Sequence, residues 1–118
     1  MIVCGNTVVL AVVGNPISHS LSPIIHNQML QYHQLNYLYI PLCLSLNNDS
    51  IAISGLKQSS IQGCNVTVPF KESFVPFLDH QDDNVRYIGA VNTVVKKQDQ
   101  WWGYNTDVGG FIYSLKEF

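Results

Sequence analysis

Charge is scarce in this sequence. Its 118 residues include six Lys or Arg and eight Asp or Glu, a formal net charge of −2. The basic side chains are scattered between Lys57 and Lys116 and form no stripe. A nucleic-acid partner, which needs a basic face, is therefore not expected. Long apolar runs are missing too. Val8 to Val13 stops at Gly14-Asn15-Pro16 and has no basic stretch ahead of it, so it reads as neither a membrane span nor an export signal. The three cysteines (Cys4, Cys43 and Cys64) are widely spaced with no C-x-x-C, which argues against zinc and thioredoxin-type chemistry. Each sits in an apolar stretch and is expected to be a buried free thiol, and reduced thiols without an export signal point to the cytoplasm. The eight glycines never fall as G-x-G-x-x-G or as a P-loop, and there is no G-x-S-x-G elbow. The chain thus has no recognisable nucleotide cradle and no serine-hydrolase nucleophile.

What is present is a hydrophobic share of 47%, enough for a real core in a chain the size of one ordinary domain. Thr7 to Val13 is a β-branched run, the pattern of a strand buried on both faces of a parallel sheet. Ser22-Pro23 places a capping residue before a proline, and a helix is expected from Pro23 to His33. Tyr37 to Leu44 reads as a second strand, and Asn48 or Asp49 as the cap of a helix through Lys57. Gly63 to Val68 is a third strand stopped by Pro69. Lys71 to Leu78 reads as a short helix, Gln81 to Asn84 as a polar loop, Ala90 to Lys96 with Gln100 to Tyr104 as a hairpin, and Asp107 to Leu115 as a last helix. The order predicts a layered α/β domain over 1–118: a mostly parallel sheet plus an antiparallel hairpin, with helices on both faces.

Ligands of open α/β sheets sit beyond the carboxyl ends of the strands. Four polar clusters fall there: Ser18 to Ser22, Thr67 to Lys71, Asn92-Thr93, and Asn105-Thr106-Asp107. Hydroxyls, amides, one lysine and one carboxylate suit a small, polyhydroxylated, anionic ligand. Serines at a helix N-terminus can hold a carboxylate, and a lysine facing an aspartate can move a proton. Each cluster also has a plainer reading, as helix caps, turn-closing amides or a solvated surface charge. His19, His26 and His33 recur every seven residues, about 10.5 Å along a helix, too far apart to share a metal ion. They are read as surface or gap-filling residues, and no metal is expected.

Four motifs carry a specific resemblance. Gly14 to Pro23 with His26-Asn27, Asn65 to Lys71, Gly89 to Thr93, and Gly103 to Asp107 with Gly110-Phe111 resemble, in order and spacing, the substrate-binding half of shikimate dehydrogenases. The resemblance implies interconversion of 3-dehydroshikimate and shikimate with NADP in the intact enzyme, in the route to aromatic amino acids. It implies that Ser20 and Ser22 bind the substrate carboxylate and that Thr67, Asn92 and Asp107 bind ring hydroxyls. Lys71 would be the acid/base, paired with Asp107 and expected to hold its proton in an open, wet site.

Family members continue into a Rossmann domain that holds NADP and return with helices and a glutamine that complete the substrate domain. This chain stops at Phe118, inside what resembles the connecting helix, so alone it is expected to bind substrate without redox turnover. Apolar surface left open by the missing helices is expected to favour self-association. The alternatives are a related quinate enzyme, part of a fusion with dehydroquinate dehydratase, or a stand-alone small-acid binding module.

Overall fold

The computed structural model describes residues 2–116, and Phe118, expected within the last helix, lies outside them. Six strands form one sheet: β1 (Val8–Gly14), β2 (Tyr37–Cys43), β3 (Gly63–Val66), β4 (His80–Gln81), β5 (Thr93–Lys97) and β6 (Gln100–Tyr104). Their order across the sheet is β2-β1-β3-β5-β6-β4. β1 pairs parallel with β2 and β3, and β6 pairs parallel with β4; β5 is antiparallel to both its neighbours. The mostly parallel sheet with one hairpin is therefore present.

Four helices cover it: α1 (Ser22–Tyr32), α2 (Asp49–Gln58), α3 (Asp83–Ile88) and α4 (Asp107–Lys116). Strand periodicity divides the core in two. Ala11 and Val13 of β1 face the same way as Cys64, Val66, Val94 and Trp101, and pack with Ile53 and Leu56 of α2, Val85 of α3, and Phe70 and Phe74. Val12 faces the other way and packs with Tyr39 and Ile17, with Leu10 and Leu30 of α1 alongside. Burial of β1 on both faces is why its sequence is a continuous β-branched run.

Several local expectations are corrected. Lys71 to Leu78 is a series of turns ending in a 3₁₀ turn at Val75–Phe77. One α-type bond forms, from Phe74 N–H to the Phe70 carbonyl at 3.1 Å, but Pro76 has no N–H and stops propagation. The polar segment at Gln81 to Asn84 is ordered structure: β4 ends there, and α3 begins with Asp82 as its cap, accepting from Val85 N–H at 2.8 Å. Ser22 does not cap α1. The chain enters through Leu21, already in the right-handed helical region, which leaves no extended cap residue to fold its oxygen onto the first turn. Ser20 does part of that work, its Oγ accepting from Ser22 N–H at 3.2 Å. Asn48 stands at the N-cap of α2 without a side-chain bond. Of the cysteines only Cys64 is buried; Cys4 lies in a turn before β1 and Cys43 ends edge strand β2, both exposed. Local hydropathy did not separate an edge strand from a central one. Among the described residues, no helix is long and apolar enough to cross a membrane.

Candidate active site

Strand register places the polar clusters on one edge of the sheet. Val13 pairs with Val66, Asn65 with Thr93, and Thr93 with Tyr104. One step beyond these rungs lie Gly14-Asn15, Thr67, Asn92 and Asn105. Backbone bonds tie the loops together: Thr67 N–H to Val13 C=O (2.9 Å), Asn15 N–H to Val68 C=O (3.2 Å), Val66 N–H to Asn92 C=O (2.8 Å) and Val91 N–H to Lys71 C=O (2.9 Å). Gly14 is required here, because a Cβ would stand 2.5 Å from Thr67 Cγ2 and 3.2 Å from Val68 O.

The structure brings Lys71, Asp107 and Asn92 into direct contact. Lys71 Nζ lies 2.7 Å from Asp107 Oδ2, and Asn92 Nδ2 donates to Asp107 Oδ1 at 3.0 Å and to Thr106 Oγ1 at 2.8 Å. Asp107 begins α4, where Asn105 Oδ1 accepts its backbone N–H at 3.0 Å. Asn105 is itself buried, and its Nδ2 donates to Ala90 C=O at 3.0 Å. The Lys71 hydrogen bond is the largest influence on the Asp107 carboxyl and, with the Lys71 charge and the Asn92 amide, holds it below the usual carboxylate range against burial, the second-largest influence. The result is a cationic N–H donor seated on an ionised carboxylate, half open to solvent.

Ser20, Ser22 and Thr67 line a cleft of about 380 Å³ with Asn15, Pro16, Ile17 and His19. Ser20 and Ser22 sit at the start of α1, whose first N–H groups lack partners within the helix. Hydroxyls beside a helix N-terminus suit a carboxylate. A larger depression of about 760 Å³ lies at the opposite edge, around Lys57, Ser59, Gln62 and Lys96. Its lysines are tied to backbone carbonyls, Lys57 to Phe77 at 2.6 Å and Lys96 to Ser59 at 2.5 Å.

The histidines separate. His26 stacks on Tyr39 with centroids 4.3 Å apart, His33 is exposed at the end of α1, and His19 reaches the serine cleft. Sequence reasoning did not single out Tyr39; Thr93 stood in the Asn92-Thr93 cluster, and Asn15 and Asn65 only inside the family-like motifs. Asn15 donates to Leu44 C=O at 2.7 Å and holds the loop after β1. Tyr39 donates to Asn65 Oδ1 at 2.8 Å on the sheet face under α1. The available signal was polar residues alternating with buried ones, as Asn65 does between Cys64 and Val66.

Fold and site together define an open-sheet α/β domain that presents hydroxyls, amides and a lysine–carboxylate pair at one strand edge. Residues 12–94 match the family model described as shikimate dehydrogenase substrate binding domain. The chain belongs to that family. Shikimate dehydrogenase (NADP(+)) of Thermosynechococcus vestitus is 43% identical over 115 residues, covering 98% of this chain and 40% of that protein. The crystal structure of shikimate dehydrogenase from Aquifex aeolicus superposes with a TM-score of 0.91 at 40% identity, covering 99% of this chain and 44% of that one. The Thermus thermophilus enzyme in complex with NADP(H) and shikimate gives a TM-score of 0.82 at 34% identity, covering 93% and 42%. The chain spans about 40% of the length of the curated relatives it matches.

Proposed function

We propose that this chain is the substrate-binding, acid/base half of an oxidoreductase that interconverts 3-dehydroshikimate and shikimate, and that residues 1–118 form one such domain. The observation that carries this reading is the 2.7 Å Lys71–Asp107 contact on the same strand edge as the Ser20–Ser22–Thr67 cleft. In this reading Ser20 and Ser22 hold the ring carboxylate with help from the α1 N-terminus, and Thr67 and Asn92 bind ring hydroxyls. Asp107 takes another hydroxyl and orients Lys71. The lysine ammonium polarises the carbonyl and gives up its proton as negative charge builds on that oxygen.

NADPH would supply the hydride. The residues here contain no glycine-rich strand-to-helix turn able to hold a dinucleotide pyrophosphate, so no step is assigned to this chain through it. The chain alone then binds substrate without turning it over. We place it in the cytoplasm, with its two exposed free thiols, Cys4 and Cys43, kept reduced there. Its exposed apolar helical surface favours self-association.

The test is a shikimate titration of this chain followed by amide NMR, with Lys71→Ala beside it. Saturable shifts near Ser20, Thr67, Asn92 and Asp107 are expected, and Lys71→Ala should retain affinity within about tenfold, the equivalent of 1.4 kcal/mol. A folded chain with no shifts at millimolar shikimate would remove the half-site reading. Collapse of affinity in Lys71→Ala would make the lysine a binding residue rather than the acid/base.

A further inference from the structure

We propose that Tyr39 is a positioning residue for the Lys71–Asp107 pair, heading a one-way chain of hydrogen bonds that crosses the sheet and ends on the Asp107 carboxylate. The inference rests on the acid/base reading above for its functional meaning, but its geometry stands alone. Tyr39 Oη donates to Asn65 Oδ1 at 2.8 Å. Asn65 Nδ2 donates to Thr93 Oγ1 in a longer contact of 3.4 Å. Thr93 Oγ1 donates to Asn92 Oδ1 at 3.1 Å, and the Thr106 backbone N–H donates to that same oxygen at 3.0 Å. Asn92 Nδ2 then donates to Asp107 Oδ1 at 3.0 Å, and Asp107 Oδ2 receives Lys71 at 2.7 Å.

Every link donates toward the carboxylate. Such a chain polarises in one sense, each donor strengthened by the one behind it, and terminates on a negative charge. The Asn92 amide is fixed against flipping, because a flip would set its Nδ2 against the Thr106 N–H and its oxygen against the Asp107 carboxylate. Asn92 can then offer only N–H to Asp107, which leaves the other carboxylate oxygen to Lys71.

The head of the chain is itself immobilised. Asn27 of α1 clamps the Tyr39 backbone from both sides, Nδ2 to Tyr39 C=O at 2.8 Å and Oδ1 from Tyr39 N–H at 2.9 Å. His26 stacks on the ring at 4.3 Å with planes 7° apart. Burial pushes the phenol up to about 12, aided by Cys64 and opposed by a hydrogen bond with Ser22, so it remains a neutral O–H donor throughout the neutral range.

The experiment uses this chain and reads Asp107 directly. In Tyr39→Phe, the carbon-detected titration midpoint of Asp107 should move up by about a few tenths of a pH unit. The Asn92 side-chain amide should lose its distinct, slowly exchanging pair of signals. Asp79, held by its own partners Lys57 and Trp101, is the internal control and should not move. Thr93→Val should reproduce both effects and Thr93→Ser, which keeps the hydroxyl, should restore native behaviour; this pair decides the matter if Tyr39→Phe does not fold. Lower stability with Asp107 and Asn92 unmoved would reduce Tyr39 to a packing residue and overturn the proposal. A shikimate titration of the native chain is read separately. Absence of binding there counts against the proposed function and leaves the network result intact.

Discussion

Asp107 carries the most informative proton in the molecule. Its carboxyl is held low first by the Lys71 hydrogen bond, so the folded state binds that proton more weakly than the unfolded state, where an aspartate titrates near ~3.9. A depressed folded value means that the stabilisation is complete above the unfolded value and is lost as pH falls through the folded one. The side chains of the pair are 34% and 56% exposed, so its worth at neutral pH is that of a surface pair, about 0.2–1 kcal/mol. Urea midpoints of native chain and Asp107→Asn should therefore converge as pH drops below about 3.9 and separate above it. Asp79, also held low, first by the Trp101 N–H and then by Lys57, contributes an acid limb common to both proteins. Identical separation of the two curves at every pH would show that Lys71 and Asp107 are not coupled in solution.

Among the elements, α3 shows how local chemistry outweighs composition. Six residues with a single buried side chain, Val85, make a helix because both ends are closed. Asp82 caps the N-terminus, and Gly89, at φ 75°, lets its N–H return to Val85 C=O at 2.7 Å. Asp82→Ala should cost about 1 kcal/mol and raise amide exchange locally in α3 and β4. An unchanged urea midpoint would mean that β4 pairing with β6 holds the segment without its cap.

The same scale explains what the sequence made legible. The strands β1, β2, β3, β5 and β6 carry apolar runs or alternation long enough to read, and Pro69 and Gly14 mark two of their ends. The two-residue β4 has no period to detect, while the cap-and-glycine pattern of Asp82 and Gly89 was readable but overlooked among polar residues. Phe70 and Phe74, four apart, imitate a helix that Pro76 prevents. Lys71, Asp107 and Asn92 were legible because residues of proton-transfer chemistry stand at strand ends. Tyr39 was not, and Asn65 and Thr93 showed as members of a motif and a cluster but not as partners, since polar residues on a strand face show their partners only once register aligns β2, β3 and β5.

For the whole molecule, the sheet edge and the helical surface make different offers to a partner. β2 is an edge strand, yet its outward backbone groups at Tyr39 are occupied by Asn27, and Pro41 removes another N–H. Strand addition there is blocked by the means that usually protect sheet edges. The outer face of α1 is not blocked. Leu21, Ile24, Ile25, Met29 and Tyr32 form a stripe at helical spacing, each more than half exposed, and Phe111, Tyr113 and Leu115 of α4 are equally open. In a chain with only 12% charged residues, little repulsion opposes contact between such faces. Association should therefore proceed through helices and weaken with charge on the stripe, not with changes along β2. Sedimentation velocity over a concentration series should show a rising average mass for the native chain. Ile25→Glu should return it toward monomer, and Cys43→Ser on the edge strand should leave it associated. A native chain that stays monomeric at the highest concentration would show that these faces, though apolar, do not pair with each other, and loss of association in Cys43→Ser alone would move the interface to the edge.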